Sequence, residues 1–263
     1  MQTDKFHLDP ACNPNTWLLW IGASQYGSLC MDSSTGIVKQ LEYRDHDLYG
    51  SDVFVRHAAE LFSDRAAIQT IRVAFRLNEW CWTPTAFTSE KEAVQKWIAP
   101  FWPDRIGHRW VADGDGLLDA TAWVWTPDHI RDQLHHLCNR VEYKHTAGFS
   151  HSTQSIDATH VQLVRLQNDC WITLTQANRF LYGQPHRIET EGDLLYVLAG
   201  LIDRFSLNWS NIDISLSGQW ALESELIAAL KKRTERIAYT GSPFSFSEPA
   251  HWFTPLYDLY ICA

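Results

Sequence analysis

The sequence has no excess of positive charge and no long apolar segment. Its 22 lysine and arginine residues are outnumbered by 31 aspartate and glutamate residues, which gives a formal net charge of −9. Proteins that bind duplex nucleic acid rely on cationic surfaces that release counterions, so this composition disfavours such a partner. No run of about 18 apolar residues could span a bilayer, and the first residues show no signal-peptide pattern. We therefore expect a cytoplasmic protein with no membrane partner.

The sequence also lacks the common motifs of metal and nucleophile chemistry. Its six cysteines are too far apart for a C-x-x-C pair, and we interpret them as free thiols rather than zinc ligands. No H-E-x-x-H, G-x-S-x-G or G-x-x-x-x-G-K-S/T motif occurs. The acidic stretches DHD and DGDG lack the longer oxygen series and distal glutamate of an EF-hand, so we interpret them as surface turns. The sequence thus identifies no catalytic residue and no metal site.

The chain does contain a series of apolar strands followed by helices. Between Thr16 and Gln40 three short strands are predicted, separated by turns at GASQYG and DSSTG. A helix with apolar residues at helical spacing follows, and then the alternating strand TIRVAF. A capping box at Ser89 predicts a second helix that ends by Pro100. Three strands, a helix, a strand and a helix make up one α/β unit.

The same order recurs after Thr159, which indicates a duplication. The segments HVQLVRL, CWITLT and RFLYGQPHRI predict three strands, followed by a helix that begins near Glu191, the strand DISLS and a helix ending in KKR. One constant displacement along the chain aligns the two series, and it places Leu18 on Val161 and Ile71 on Ile214. Because few residues are identical, a loose match between two unrelated α/β segments stays an alternative.

This pattern predicts an α/β (α+β) protein with duplicated ribonuclease H-like lobes, each a mixed β-sheet with helices, which is the actin-like ATPase fold. Residues 1–104 are expected to form the first lobe and residues 158–263 the second. Residues 105–157 are expected to form an insert and the crossing segment. In this fold the two lobes face one another across a cleft.

The second half of the chain resembles an uncharacterised bacterial family, the domain of unknown function 3822, and the resemblance extends over nearly the whole chain. The run from HVQLVRL to DISLSGQW is similar to the family's order of strands, acidic helix start, long helix and strand ending near a glycine. The final HWFTPLYDLYICA is similar to the family's tail, whereas Thr83 in WTPTAF replaces its usual valine. The resemblance implies an actin-like ATPase fold but no activity, because the function of the family is itself unknown.

The turn between the first two strands is where an actin-like ATPase would hold phosphate. Such ATPases place an aspartate at the end of the first strand, because its carboxylate positions magnesium while backbone N–H groups hold phosphate oxygens. Here Gly22 and Ser24 keep the glycine and the hydroxyl, but Trp20 takes the place of the aspartate and cannot position a metal. The matching turn of the second lobe, VRLQNDCW, has no glycine, and Asp169 is expected to close a tight hairpin.

A third landmark of the fold is better preserved in ISLSGQWALESEL. Working ATPases have paired glycines beside adenosine at this strand-to-helix turn, and Ser217 and Gly218 would let an adenine or ribose approach the backbone. The N-terminus of the following helix would be a weak anion site. The alternative is that Gly218 only makes the turn, and a lone glycine favours that alternative.

We therefore interpret the chain as a catalytically degenerate actin-like ATPase-fold protein of unknown function, with a binding or scaffold role and a protein partner. The cleft or exposed members of its 13 tryptophans would supply the contact surface. The alternative is a nucleotide-binding protein or slow ATPase that uses the cleft, with Gly22, Ser24, Ser217 and Gly218 contacting ATP or another nucleotide. A helper that associates with another enzyme and binds no small ligand is a third hypothesis.

Overall fold

The chain consists of two compact units, residues 1–149 together with 258–263, and residues 150–257. The computed structural model describes residues 4–9, 11–22, 25–45, 52–75, 80–84, 96, 108–115, 120–145, 158–177, 179–221, 224–240 and 250–261. The helix predicted between Ser89 and Pro100 falls outside these ranges except at Lys96.

The first unit is built on a six-stranded sheet. Its strands are β1 (Asp4–His7), β2 (Thr16–Ile21), β3 (Gln25–Asp32), β4 (Ile37–Asp45), β5 (Thr70–Phe75) and β9 (Val141–His145). A separate three-stranded sheet contains β6 (Trp80–Pro84), β7 (His108–Asp115) and β8 (Ala120–Pro127), and the described helices are α1 (Val53–Leu61) and α2 (Asp128–Leu137). The larger sheet has the order β1-β4-β3-β2-β5-β9. Within it β5 runs parallel to β2 and to β9, whereas the hairpin strands are antiparallel.

The second unit repeats this topology. Its strands are β10 (Thr159–Leu166), β11 (Asp169–Gln176), β12 (Arg179–Arg187), β13 (Ile212–Gly218) and β14 (Ile237–Tyr239), and its helices are α3 (Glu191–Arg204), α4 (Glu225–Lys231) and the start of α5 (Thr254–Ile261). The order β12-β11-β10-β13-β14 matches β4-β3-β2-β5-β9 strand for strand. In both sheets the central strand has one antiparallel and one parallel neighbour. The predicted duplication of ribonuclease H-like lobes is confirmed.

The constant displacement between the two series is nevertheless wrong for the first strand of each lobe. Trp17 pairs with Ile71 and Val161 pairs with Ile214, and all four side chains belong to the helix-covered core of their own sheet. Val161 therefore corresponds to Trp17 and not to Leu18, although Ile214 does correspond to Ile71. Because successive side chains point to opposite faces, a shift by a single position exchanges the faces of a strand. The aligned pair of Leu18 and Val161 thus points to opposite sides of the two sheets.

Residues from the expected insert contribute to the core of the first unit. α2 packs against α1 and buries Ile130, Leu134 and Leu137 in the same apolar cluster as the strand residues. β9 extends the sheet through parallel pairing with β5. The second core cluster joins β10, β11 and β13 to α3 and α4. Each unit therefore has its own hydrophobic core beneath two helices.

α5 is bonded at both ends. At its start, Thr254 Oγ1 donates to the Thr240 carbonyl at 2.9 Å. At its end, Arg72 Nη1 donates to the Tyr260 carbonyl at 2.9 Å, an interaction that suits the negative end of the helix dipole. Burial raises the pKa of Asp258, in the middle of the helix, to about 8. None of the described helices combines the length and the apolar character needed to cross a bilayer.

A buried polar network connects α1 to β3 and β4. Glu42 Oε1 lies 2.6 Å from His57 Nε2, and Arg44 Nε donates to Glu42 Oε2 at 2.6 Å. Tyr26 OH lies 2.7 Å from His57 Nδ1, and Arg44 Nη2 donates to Glu60 Oε2 at 2.7 Å. The side chains of Glu42 and His57 are only 0% and 1% exposed. The network therefore fixes how the helix docks on the sheet, because any displacement would leave buried polar groups unpaired.

Burial and pairing together set the charge states in this network. Burial acts to raise the pKa of Glu42, but hydrogen bonds and charge from His57 and Arg44 outweigh it and hold the pKa at about 2. Burial lowers the pKa of His57, and Glu42 opposes this shift only in part. We therefore describe Glu42 as ionised and His57 as neutral, with Nε2–H donating to Glu42 and Nδ1 accepting from the Tyr26 hydroxyl.

Replacing Glu42 by glutamine tests the network. Glu42→Gln should lower the free energy of unfolding at pH 7 by about 2–3 kcal/mol, because Arg44 and His57 lose a buried charged acceptor. Since the folded-state pKa of Glu42 lies below its unfolded value, its stabilisation exists above about pH 4.5 and is lost as the pH falls toward 2. Urea unfolding from pH 7 to pH 3 should therefore show a shallower acid decline in the variant.

Glu60 provides the matched control. It belongs to the same network but its side chain is 53% exposed, so Glu60→Gln should cost less than about 1 kcal/mol. Equal losses in the two variants would contradict the importance of the buried pair.

Candidate functional site

The turn expected to hold phosphate in the first lobe is a hairpin turn between β2 and β3. Gly22 N donates to the Gln25 carbonyl at 2.9 Å, directly after the last residue pair of the two strands. Trp20 is fully buried and packs edge-on against Tyr43, with 6.4 Å between ring centroids. Ser24 lies outside the described residues. The position of the missing aspartate is thus part of the aromatic packing of the sheet.

The matching turn of the second lobe is a two-residue hairpin turn. Leu166 pairs with Asp169, so Gln167 and Asn168 alone form the turn. Gln167 has a φ of 53°, as such tight turns require. Asp169 closes the hairpin, as predicted from the sequence.

Three hydrogen bonds hold this hairpin and the turn that follows β13, and two of them join the hairpin to that turn. Gln219 Oε1 accepts from Gln167 N at 2.8 Å, and Gln219 N donates to the Arg165 carbonyl at 2.9 Å. Arg165 Nε donates to the Gln167 carbonyl at 2.9 Å. We call Arg165, Gln167 and Gln219 the turn lock. It already uses the Gln167 N–H, which is the kind of backbone donor that a phosphate oxygen would need.

Gly218 occupies a position that only glycine fits. Its φ is +84°, and a Cβ added to it would lie 2.1 Å from the carbonyl oxygen of Arg165. The close approach of β10 and β13 therefore accounts for this glycine without any ligand. Beside it, Ser217 is fully buried and its hydroxyl has no hydrogen-bond partner among the described residues. The two candidate residues thus lie side by side at the end of β13. Gly218 permits the close approach of two strands, whereas Ser217 provides a buried hydroxyl.

Trp220 closes the turn after Gly218 from within the chain. Its Nε1 donates to the Ser217 carbonyl at 2.8 Å, and the Arg165 guanidinium lies 5.3 Å from the centre of its ring. Its own carbonyl accepts from His251 Nε2 at 3.0 Å and from Trp252 Nε1 at 3.1 Å. Burial lowers the pKa of His251, which favours the neutral ring that donates this bond. The side chains of Trp220, His251 and Trp252 therefore hydrogen-bond the backbone at and just after the end of β13.

The helix N-terminus that follows is also satisfied internally. A carboxylate oxygen of Glu191, the first residue of α3, accepts from Leu226 N, and Ser224 Oγ accepts from Ile227 N at 3.1 Å. The anion expected at the start of α4 is thus supplied by the protein itself. Within the described part of the chain, no three histidine, cysteine, aspartate or glutamate side chains are arranged to hold a metal ion.

The residues that define this region are absent from the sequence prediction. Arg165 and Gln219 look like ordinary exposed polar residues in the sequence, and their partnership arises only when β10 and β13 pair. The sequence predicts that Glu191 begins α3. It does not indicate that the Glu191 carboxylate caps α4. The one available signal is Trp220, because a buried indole N–H usually finds a hydrogen-bond partner.

No protein-family profile matches the sequence, and no curated protein matches it. Among solved structures, a Bacteroides thetaiotaomicron protein described as having an actin-like ATPase fold and unknown function is similar, with a TM-score of 0.76 and 10% identity over 98% of this chain and 100% of that chain. A PilM–PilN type IV pilus biogenesis complex gives a TM-score of 0.65 and 13% identity over 95% and 98%. These similarities show that the chain has the actin-like ATPase fold, while membership of family 3822 stays a prediction.

Two glycine substitutions test the origin of the turn. Gly218→Ala should destabilise the protein by at least about 2 kcal/mol, because the methyl group meets the Arg165 backbone at an unfavourable φ. Gly200→Ala, in α3, is the matched control: nothing lies within 4 Å of the added Cβ, so the helix should gain about 0.5–1 kcal/mol. Thermal unfolding without nucleotide measures both, and a Gly218→Ala variant as stable as the wild type would contradict the packing role.

Proposed function

We propose that this protein is a catalytically degenerate member of the actin-like ATPase fold that acts by binding a protein rather than by hydrolysing ATP. The observation that carries the proposal is the turn lock. A working phosphate site keeps backbone N–H groups free for phosphate oxygens, whereas here Gln167 N bonds Gln219 Oε1 at 2.8 Å. Two turns that would have to admit a nucleotide are instead bonded to one another.

Two further observations support the loss of hydrolysis. Trp20, fully buried against Tyr43, takes the position of the magnesium-positioning aspartate. A carboxylate at this fully buried position would be costly without a partner. Glu191 supplies negative charge to the α4 N-terminus, which leaves that terminus with no need of an external anion.

A protein-binding role is supported by the fold comparison and by one surface feature. A structure of the same fold is described as a PilM–PilN complex, so that protein is found with a protein partner. In the present chain the tryptophans expected to offer a contact surface include five that are almost completely buried, namely Trp17, Trp20, Trp123, Trp171 and Trp220. Among the described residues the most exposed large hydrophobic side chain is instead Tyr196 on α3, at 82%. We propose Tyr196 as an anchor of the partner surface, because tyrosine is enriched among the residues that carry interface binding energy.

Nucleotide titration tests the enzymatic part of the proposal. Purified protein should show no change in melting temperature with millimolar Mg-ATP and no phosphate release above background. A ligand at 100 times its Kd would add about 2.7 kcal/mol of stability by mass action, which a melting curve detects easily. A saturable shift that disappears in Ser217→Ala would refute the proposal and favour the nucleotide-binding alternative. Ser217 is preferred to Gly218 for this test, because any side chain at Gly218 disturbs the fold by itself.

A pull-down tests the binding part. Tagged wild-type protein should recover a specific partner from its native host, and the purified partner should bind Tyr196→Ser about 30-fold more weakly, as expected when an aromatic contact worth about 2 kcal/mol is removed. Ile37→Ser, which changes another exposed hydrophobic residue in the first unit, should bind normally. Absence of any wild-type partner would contradict the binding role, and equal affinity of all three proteins would contradict the assigned surface.

A further inference from the structure

One face of the second sheet carries three buried oxygens that have no hydrogen-bond partner among the described residues. We call this side, turned away from the core beneath α3 and α4, the polar face. The three atoms are Gln162 Oε1, Ser217 Oγ and Thr240 Oγ1. Gln162 is 2% exposed, and Ser217 is 0% exposed. Bulk solvent therefore does not reach these oxygens.

Strand register places the three oxygens in one patch. Val161, Leu163 and Leu216 point into the core, so their neighbours Gln162 and Ser217 point to the polar face. Gln162 is opposite Ser215 in the ladder, and Ser217 is two residues further along β13.

Thr240 joins the patch from the third strand. It directly follows β14, and its N–H continues the ladder by donating to the Leu216 carbonyl at 2.8 Å. Because Tyr239 belongs to the core side, Thr240 points to the polar face, next to Ser217. Neighbouring strands are about 4.8 Å apart and diagonal neighbours about 7–8 Å, so a hydrogen-bonded guest of one or two small molecules can reach all three oxygens.

Leaving the three groups unpaired would be costly. A buried polar group without a partner costs about 1–3 kcal/mol, and more than about 90% of such groups in native proteins are satisfied. Among the described residues of the second unit, no other buried side-chain nitrogen or oxygen lacks a partner, and on the polar face Trp171 Nε1 donates to Thr173 Oγ1 at 3.1 Å. The deficit is therefore local to the patch around Ser217.

We propose that Gln162, Ser217 and Thr240 form a buried site for a neutral hydroxyl-bearing guest, which is ordered water or the hydroxyl of a small uncharged ligand. Gln162 Oε1 can only accept, so the guest must donate a hydrogen bond, and the two hydroxyls can donate or accept in return. None of the three side chains is charged, so an ion would gain no compensation for burial. Water in such sites typically makes two to four hydrogen bonds. This site does not depend on whether the protein hydrolyses ATP.

The sign of a stability change tests the site. Thr240→Val keeps the shape of the side chain and removes the hydroxyl, and Ser217→Ala removes the other. If the hydroxyls hold a shared guest, each variant should melt at a lower temperature than the wild type, and the double variant should lose less than the sum of the two. If the hydroxyls are unpaired, both variants should melt at a higher temperature, which would overturn the proposal. Thr234→Val is the reference, because its buried hydroxyl donates to the Ile212 carbonyl at 3.1 Å and its removal gives the lower melting temperature expected when a paired hydroxyl is lost.

A high-resolution crystal structure and a titration with glycerol and ribose identify the guest. Density for a water molecule within hydrogen-bond distance of at least two of the three oxygens supports the hydration form. A saturable rise in melting temperature that Ser217→Ala abolishes supports a ligand hydroxyl, and ribose without phosphate keeps this result separate from nucleotide binding. Absence of both, in a map that shows waters elsewhere in the interior, would overturn the proposal.

Discussion

The close approach of β10 and β13 at Gly218 is the constraint on which the candidate site depends. The Arg165 carbonyl leaves no room for a Cβ at Gly218. Because glycine has no Cβ, the chain can leave β13 close to the end of β10. Gln219 then lies within reach of both Arg165 and Gln167, and the turn lock forms. The same exit path lets the Trp220 ring fold back onto the β13 backbone. One backbone contact thus determines the chemistry available at the end of the second sheet.

The two lobes share a topology but differ in where they bury polar groups. In the first lobe the polar network around Glu42 and His57 lies between the sheet and α1, and every charged member has a partner. In the second lobe the helix-covered side is an apolar cluster, and polar side chains such as Gln162 and Thr173 occupy the opposite face. Duplication therefore preserved strand order, which backbone pairing and crossover geometry enforce, while leaving each face free to diverge.

This difference explains which parts of the structure the sequence predicted. The succession of strands and helices along the chain and its repetition followed from apolar periodicity, because burial of one face imposes that pattern on any such sheet. The alignment of Leu18 with Val161 failed because both sides of β2 and β10 are buried, which removes the contrast that fixes the phase of an alternating pattern. The number of tryptophans in the sequence could not indicate how many are exposed, since most of those whose burial the structure describes are buried. The Arg165 and Gln219 contacts join strands that are distant in sequence, and no local pattern encodes them.

The turn lock also limits the affinity that any nucleotide could reach at these turns. An N–H group has a single hydrogen, so Gln167 cannot hold Gln219 and a phosphate oxygen at full strength together. Freeing the Gln167 N–H would break its hydrogen bond to Gln219 Oε1, which has a net contribution of about 1 kcal/mol. A cost of about 1 kcal/mol lowers an apparent affinity by roughly 5-fold, because only the open fraction binds. Trp20 occupies the position at which an actin-like ATPase is expected to carry a metal-positioning carboxylate, and an indole offers no magnesium contact that could offset this cost.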